Sequence, residues 1–189
     1  VKKIMPGLNA CFVDVGYEKD AFLHYFDLGS QIHSLIKLTK LIKNGTYKDN
    51  LLDRLKLEPD INKSGKISEI LSRNMLIPVQ IVKEPISTKG PRLSCELSLA
   101  GRYLVLVPFS KAVNASKKIT SNEERKRLLR LIQSIKPENF GVIIRTVAEG
   151  ADVAELDKDL RNLVKTWEDG IARLPEAQPN DKLIGELNK

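Results

Sequence analysis

Two cysteines and two histidines in 189 residues are few, and each scarcity removes a class of chemistry. Cys11 and Cys95 stand alone in apolar, strand-like runs. They can form neither a disulfide framework nor a four-ligand zinc site, and they read as reduced core thiols. His24 and His33 lack metal-ligand spacing, and His24, in an apolar strand, reads as a satisfied core or barrel-surface residue. No apolar run approaches the roughly 18 residues of a membrane span, and no secretory leader is evident. The chain opens on Val1 in the middle of a strand-like pattern, which reads as an excised piece of a longer protein.

Charge is plentiful and unevenly spread. The net charge is +7, and residues 102–145 carry 10 Lys/Arg against 3 Asp/Glu. Residues 1–97 hold 15 against 11, and residues 146–189 hold 6 against 10. A basic field concentrated in mid-chain favours polyanions through counterion release. The carboxylates of Glu149–Asp159 fall at a helix start, where the macrodipole favours them without any catalytic role.

The pattern predicts two regions. In the first, Ala10–Gly16, Asp20–His24, Ile77–Lys83 and Arg92–Leu97 read as short strands with turns at Gly16–Lys19 and Ser87–Gly90. Short strands with glycine turns fit an oligonucleotide-binding barrel. Residues 29–74 read as an insertion: Gln31–Lys43 has helical spacing, Ile67–Leu71 begins a short helix, and the centre is polar. Asp60-Ile61-Asn62-Lys63-Ser64-Gly65-Lys66-Ile67 follows the first eight positions of a calcium-binding EF-hand loop. The twelfth position, which needs a bidentate Glu, is Leu71, so the segment reads as a polar turn.

In the second region Tyr103–Val107 and Phe140–Ile144 are predicted strands. Ser121-x-x-Glu124 is a capping box for a helix to about Ile135, with Leu128, Leu129, Ile132 and Ile135 inward. Ala151–Leu174 is a long helix with Leu156, Leu160, Leu163, Val164, Trp167 and Ile171 on one face. The polar sequence after Pro175 reads as a loose tail.

Two constellations carry chemistry. Phe12 and Phe22, on adjacent strands, can share one face as a platform on which unpaired bases stack, at roughly 1–3 kcal/mol each. Lys89, in the turn Ser87–Gly90, can reach a phosphate. Arg145 and Thr146 end a buried strand, which fixes a guanidinium and a hydroxyl at one place, as an anion pocket requires.

GLNACFVDVGYEKDAFLHYFDLG (7–29), STKGPRL (87–93), LAGRYLVLVP (99–108) and IIRTVAEG (143–150) closely resemble the N-terminal half of the ribonuclease E/G family. The resemblance covers about residues 4–29 and 77–170. It implies an α+β architecture: an S1-type OB-fold RNA-binding domain over residues 1–97, then an α/β 5′-monophosphate sensor over residues 98–189. By the same resemblance Phe12, Phe22, Lys83 and Lys89 bind RNA. Arg145 and Thr146 grip a 5′-phosphate, Gly101 and Val105 form its pocket wall, and Lys117 lies beside it where many members have Arg. The parent enzyme is then a magnesium-dependent, homo-oligomeric endoribonuclease of the bacterial cytoplasm, acting on ribosomal and messenger RNA. Its magnesium-holding aspartates fall in a later subdomain outside this sequence, so this portion is expected to bind single-stranded RNA without cutting it. Two other readings stay open: a non-catalytic single-stranded RNA-binding protein of the translation or ribosome-assembly machinery, and an interaction module that docks through residues 29–74.

Overall fold

A computed structural model of the chain describes residues 1–47 and 52–185. The architecture is α+β, with two sheets and three α-helices among the described residues, and the chain divides into two compact units. The first comprises residues 1–48, 56–97 and 174–182; the second comprises residues 49–55, 98–173 and 183–189. Two short excursions therefore interrupt a simple division at residue 97.

The first unit holds β1 (Lys3–Met5), β2 (Ala10–Val13), β3 (Ala21–His24), α1 (Ile32–Lys43), β4 (Gln80–Lys83) and β5 (Arg92–Ser94). The sheet order is β1-β2-β3-β5-β4, antiparallel except at β3–β5. Gly90 permits the parallel join. A Cβ there would meet the Asp20 carbonyl oxygen at 2.2 Å, and its absence lets the Phe22 N–H donate to Pro91 O at 2.9 Å. Ala10, Cys11, Val13, Ala21, Leu23 and Leu93 are buried, while Phe12, Phe22 and Arg92 keep solvent access. Alternation along β2 and β3 turns Cys11, Val13, Ala21 and Leu23 to one face and Phe12 and Phe22 to the other, where Ala10 also lies, paired with His24.

Among the described residues the sheet is open, with β1 and β4 as its edges, where the sequence suggested a small oligonucleotide-binding barrel. Closure needs strands long enough to tilt, stagger and meet, and these edge strands have only three and four residues. The predicted strands also end earlier: Gly16, at φ +91°, turns the chain after β2, and the N–H of Gly16 donates to Asp14 Oδ1 at 3.0 Å.

Within residues 29–74, the segment following α1 is strapped back along that helix. Ser34 Oγ accepts from the Glu58 N–H at 2.9 Å, Gln31 Nε2 donates to Glu58 O at 3.0 Å, and Lys37 pairs with Glu58 at 3.0 Å. The expected helix at Ile67 is a single 3-10 turn, Ile67–Glu69. The EF-hand-like turn is held by side-chain amides: Asn62 Oδ1 accepts from the Ser64 N–H, and Asn9 bridges Gly65 O and the Ile67 N–H. The polar centre of the insertion falls partly at residues 48–51, outside the described residues. After Pro175 the chain is tied down where a loose tail was expected: residues 174–176 pack on α1, and Lys43 Nζ donates to Ala177 O.

The second unit holds β6 (Leu99–Ala100), β7 (Leu104–Pro108), β8 (Val113–Ala115), α2 (Asn122–Ile135), β9 (Phe140–Ile144) and α3 (Val153–Arg173), with sheet order β6-β7-β9-β8. Ser121 caps α2 by accepting from the Glu124 N–H at 3.3 Å. Glu124 does not reach back to complete the expected box; its carboxylate binds Arg127 and the Gly150 N–H. Leu128 and Ile132 of α2, and Leu156, Leu160, Leu163, Trp167 and Ile171 of α3, are buried as the helical period requires. Trp167, 2% exposed, meets Phe109 and Phe140 edge-on at centroid separations of 6.1 and 5.9 Å. Asn139, at φ +64°, donates from Nδ2 to Leu52 O and Leu55 O at 2.7 and 2.8 Å, fixing residues 52–55 to this unit.

Candidate functional site

Pairing register aligns one row of residues across the whole first sheet. Lys3 stands opposite Phe12, Phe12 opposite Phe22, Phe22 beside Arg92, and Arg92 opposite Lys83. The row thus places two aromatic rings between cations on both sides. The rings contact edge to face at a centroid separation of 5.9 Å, and both are half-buried, so each keeps surface toward solvent. A bulge between Ile81 and Lys83 re-aims the end of β4 and brings Lys83 to Arg92. Arg92 is held by Asp27 at 3.0 Å; Lys3, Lys83 and Lys89 are exposed and make no ion pair among the described residues. Lys89 lies off the row, in a turn closed by reciprocal Ile86–Lys89 backbone hydrogen bonds of 3.0 and 3.1 Å.

A second cluster forms at one end of the other sheet. Strands β8 and β9 are parallel, with Ala115 beside Ile144, so Ser116–Lys117 and Arg145–Thr146 leave the sheet side by side. The Ser116 N–H donates to Ile144 O at 2.8 Å, and the Ser116 and Thr146 hydroxyls share a hydrogen bond of 2.7 Å. Arg145 NH1 donates to Gly101 O at 2.7 Å and to Arg102 O at 3.2 Å. Those contacts use the two NH1 protons. The Nε–NH2 edge, which matches two phosphate oxygens, makes no hydrogen bond among the described residues. Val105 pairs with Ala100 and with Ile143, giving a half-exposed apolar strip on the face that carries Arg145.

Gly101 has a specific reason to lack a side chain. A Cβ there would lie 2.6 Å from Asp159 Oδ1 and 2.7 Å from Oδ2. That carboxylate accepts from three successive backbone N–H groups, those of Arg102, Tyr103 and Leu104, at 3.1, 2.9 and 3.0 Å. Asp159 therefore fixes the turn whose carbonyls hold Arg145. The close approach at Gly101 is made by the Asp159 carboxylate of α3.

A profile of the Ribonuclease E/G family matches residues 98–189, which include the Arg145 cluster. Over 187 residues the chain is 35% identical to Ribonuclease G of Escherichia coli K12, covering 99% of this chain and 34% of that protein. The chain belongs to the ribonuclease E/G family. It is similarly 36% identical over 186 residues to Ribonuclease G of Haemophilus influenzae (98% of this chain, 34% of the relative). Ribonuclease E of Synechocystis is 37% identical over 169 residues (89% and 21%). The chain thus spans about a third of the ribonuclease G relatives and about a fifth of this ribonuclease E.

Within this ribonuclease E/G chain, Phe12, Phe22 and Lys83 fall on one row, with Lys89 on a nearby turn of the same unit. Gly101, Val105, Arg145 and Thr146 gather around β7 and β9, and exposed Lys117 follows Ser116. Four participants escaped sequence reasoning. Lys3 and Arg92 enter through strand register, which local pattern does not encode. Ser116 enters through the parallel pairing of β8. Asp159 looked like a dipole-favoured carboxylate at a helix start, and its three N–H partners lie over fifty residues away in sequence.

Proposed function

We propose that this chain supplies the RNA-binding and 5′-end-sensing functions of a ribonuclease E/G-type endoribonuclease, which acts in rRNA processing and mRNA decay in the cytoplasm as a homo-oligomer. In this reading the first unit is an S1-type RNA-binding domain of the OB-fold class. Phe12 and Phe22 stack on unpaired bases, and Lys3, Lys83, Lys89 and Arg92 neutralise phosphates along the strand.

The second unit reads the end. The observation that carries this is Arg145: two carbonyls immobilise its NH1, leaving the Nε–NH2 edge for two oxygens of a terminal phosphate. When Ser116 donates to Thr146, the Thr146 proton is left to donate to a third oxygen. Lys117 adds charge without the bidentate geometry of a guanidinium. Each charge-assisted hydrogen bond contributes about 1.5–3 kcal/mol, so even one bond's net gain should make a 5′-monophosphate bind roughly 10- to 150-fold more tightly than a 5′-hydroxyl. That difference in affinity is what lets an end act as a gate on a distant reaction.

By the family resemblance, we propose binding without strand cutting for this chain. Among the described residues no helix is long and apolar enough to cross a membrane.

The alternative is a single-stranded RNA-binding protein of the translation or ribosome-assembly machinery, which would use the row alone. Comparing a linear 5′-monophosphorylated RNA with the same sequence circularised separates the two. End sensing predicts clear preference for the linear form at each of two salt concentrations. Equal, salt-sensitive affinity for both forms favours a clamp without a sensor.

A further inference from the structure

The aromatic surface of the first unit does not stop at the pair named above. Phe22 is followed two residues along β3 by His24, at a ring separation of 6.4 Å, and His24 contacts Phe26 at 4.7 Å. With the Phe12–Phe22 contact of 5.9 Å, four rings form a continuous series along one surface. It runs along β3 and crosses the charged row at Phe22. Phe26 is 76% exposed, the most exposed large apolar side chain among the described residues.

An exposed phenylalanine on a loose loop would carry little meaning, but this one is held rigidly. The Phe26 N–H donates to His24 Nδ1 at 3.1 Å, which fixes both the backbone and the imidazole. On one side of it Tyr25 is buried, and its hydroxyl donates to Asn62 O. On the other, Asp27 accepts Arg92 through its carboxylate, and its carbonyl accepts from the Cys95 N–H at 2.9 Å and Ser94 Oγ at 3.3 Å. The ring is thus presented to solvent by a turn clamped on both flanks. Such preorganisation lowers the ordering cost of a ligand that stacks there. Arg92, which holds the turn, is also a member of the charged row.

We propose that His24 and Phe26 form a further stacking subsite for unpaired bases, extending the Phe12/Phe22 platform along β3 toward a longer stretch of single-stranded RNA. A polyanionic chain with planar bases is the occupant that suits aromatic faces bordered by Lys3, Lys83 and Arg92. The inference rests on the reading of this unit as an RNA clamp. It adds a footprint longer than two bases, set by residues outside the site assigned above.

The test measures affinity for a short and a long oligouridylate, of three and eight nucleotides, both with a 5′-hydroxyl so that the end pocket adds nothing. Wild type, Phe26→Ala, Phe26→Trp and Phe12→Ala are compared. Phe26→Ala should lose roughly 5- to 150-fold on the long RNA and leave the short one unchanged, with Phe26→Trp restoring binding. If Phe12→Ala weakens binding while Phe26→Ala matches wild type at both lengths, the added subsite is refuted and the clamp stands. Equal losses at both lengths for Phe26→Ala would put the ring inside the original clamp and refute the extension. If neither variant changes binding, the clamp reading fails and takes the subsite with it. Concentration-dependent self-association that Phe26→Ala abolishes, without an RNA effect, would make this face a protein interface and overturn the proposal.

Discussion

The Asp159 carboxylate occupies the space that a side chain at Gly101 would need, with both oxygens within 2.7 Å of that Cβ position. Three backbone N–H donors hold the carboxylate there, so it cannot swing aside cheaply. Gly101 and Arg102 in turn supply the carbonyls that anchor Arg145. A residue of α3 therefore fixes the carbonyls that hold the guanidinium.

Asp159→Ala should accordingly lower the preference for 5′-monophosphorylated over 5′-hydroxyl RNA, although Asp159 repels phosphate and its removal adds net positive charge. Loss of three hydrogen bonds to a charged acceptor should also destabilise the second unit, by about 1.5–3 kcal/mol for each bond that water does not replace. Denaturant titration gives the second effect and paired affinities the first. An increased monophosphate preference in the variant would show that Asp159 acts only as a nearby negative charge.

Glu124 gives an acid-side signature. Hydrogen bonding from Arg127, and next from the Gly150 N–H, holds its carboxyl below the usual glutamate range. A lowered native value means that this contribution is full above the unfolded value of about 4.3 and is lost as pH falls through the lower native value. The urea midpoint of wild type should therefore fall more steeply below about pH 4.3 than that of Glu124→Gln. Parallel acid limbs for the two proteins would remove this assignment.

Cys11 and Cys95 should resist alkylation in the folded state. Burial pushes the Cys11 thiol up to about 11, partly opposed by the N-terminal charge. Burial raises Cys95 further, helped by Cys11 and Asp27. The reactive thiolate is then scarce at pH 8, and both sulfurs are enclosed. Mass spectrometry after iodoacetamide treatment should find neither modified natively and both modified in denaturant. Rapid native labelling of either would mean that the sheet opens readily.

Lys3 tests the row, since only strand register places it there. Lys3→Ala should weaken single-stranded RNA binding and reduce the slope of log affinity against log salt by about 0.7, one phosphate's worth. It should leave the monophosphate-to-hydroxyl ratio unchanged. An unaltered salt slope would remove β1 from the RNA path.

How much of this was legible beforehand differs by element. The faces of α2 and α3 follow from the spacing of Leu128, Ile132, Leu156, Leu160, Leu163 and Trp167, because a helix writes its buried face into a local period. Phe12 and Phe22 were also within reach, since a tight turn between two short strands leaves few registers. Lys3 and Ser116 were not, because pairing of short edge strands depends on tertiary context rather than pattern. The link from Asn139 to residues 52–55 and the set of Asp159 contacts join positions far apart in sequence. The open sheet likewise reflects strand lengths, with Gly16 ending β2 before the expected strand stops and β4 starting only at Gln80.

The central claim is that Arg145, aimed by its carbonyl anchors, reads the 5′ end. Its most direct test is the affinity ratio of one single-stranded RNA carrying a 5′-monophosphate or a 5′-hydroxyl, for wild type and Arg145→Ala. The account predicts a preference of roughly 10-fold or more in wild type that falls sharply in the variant, leaving only what Thr146 and Lys117 supply, with hydroxyl-ended RNA bound about equally by both. A variant that keeps the wild-type ratio would contradict it.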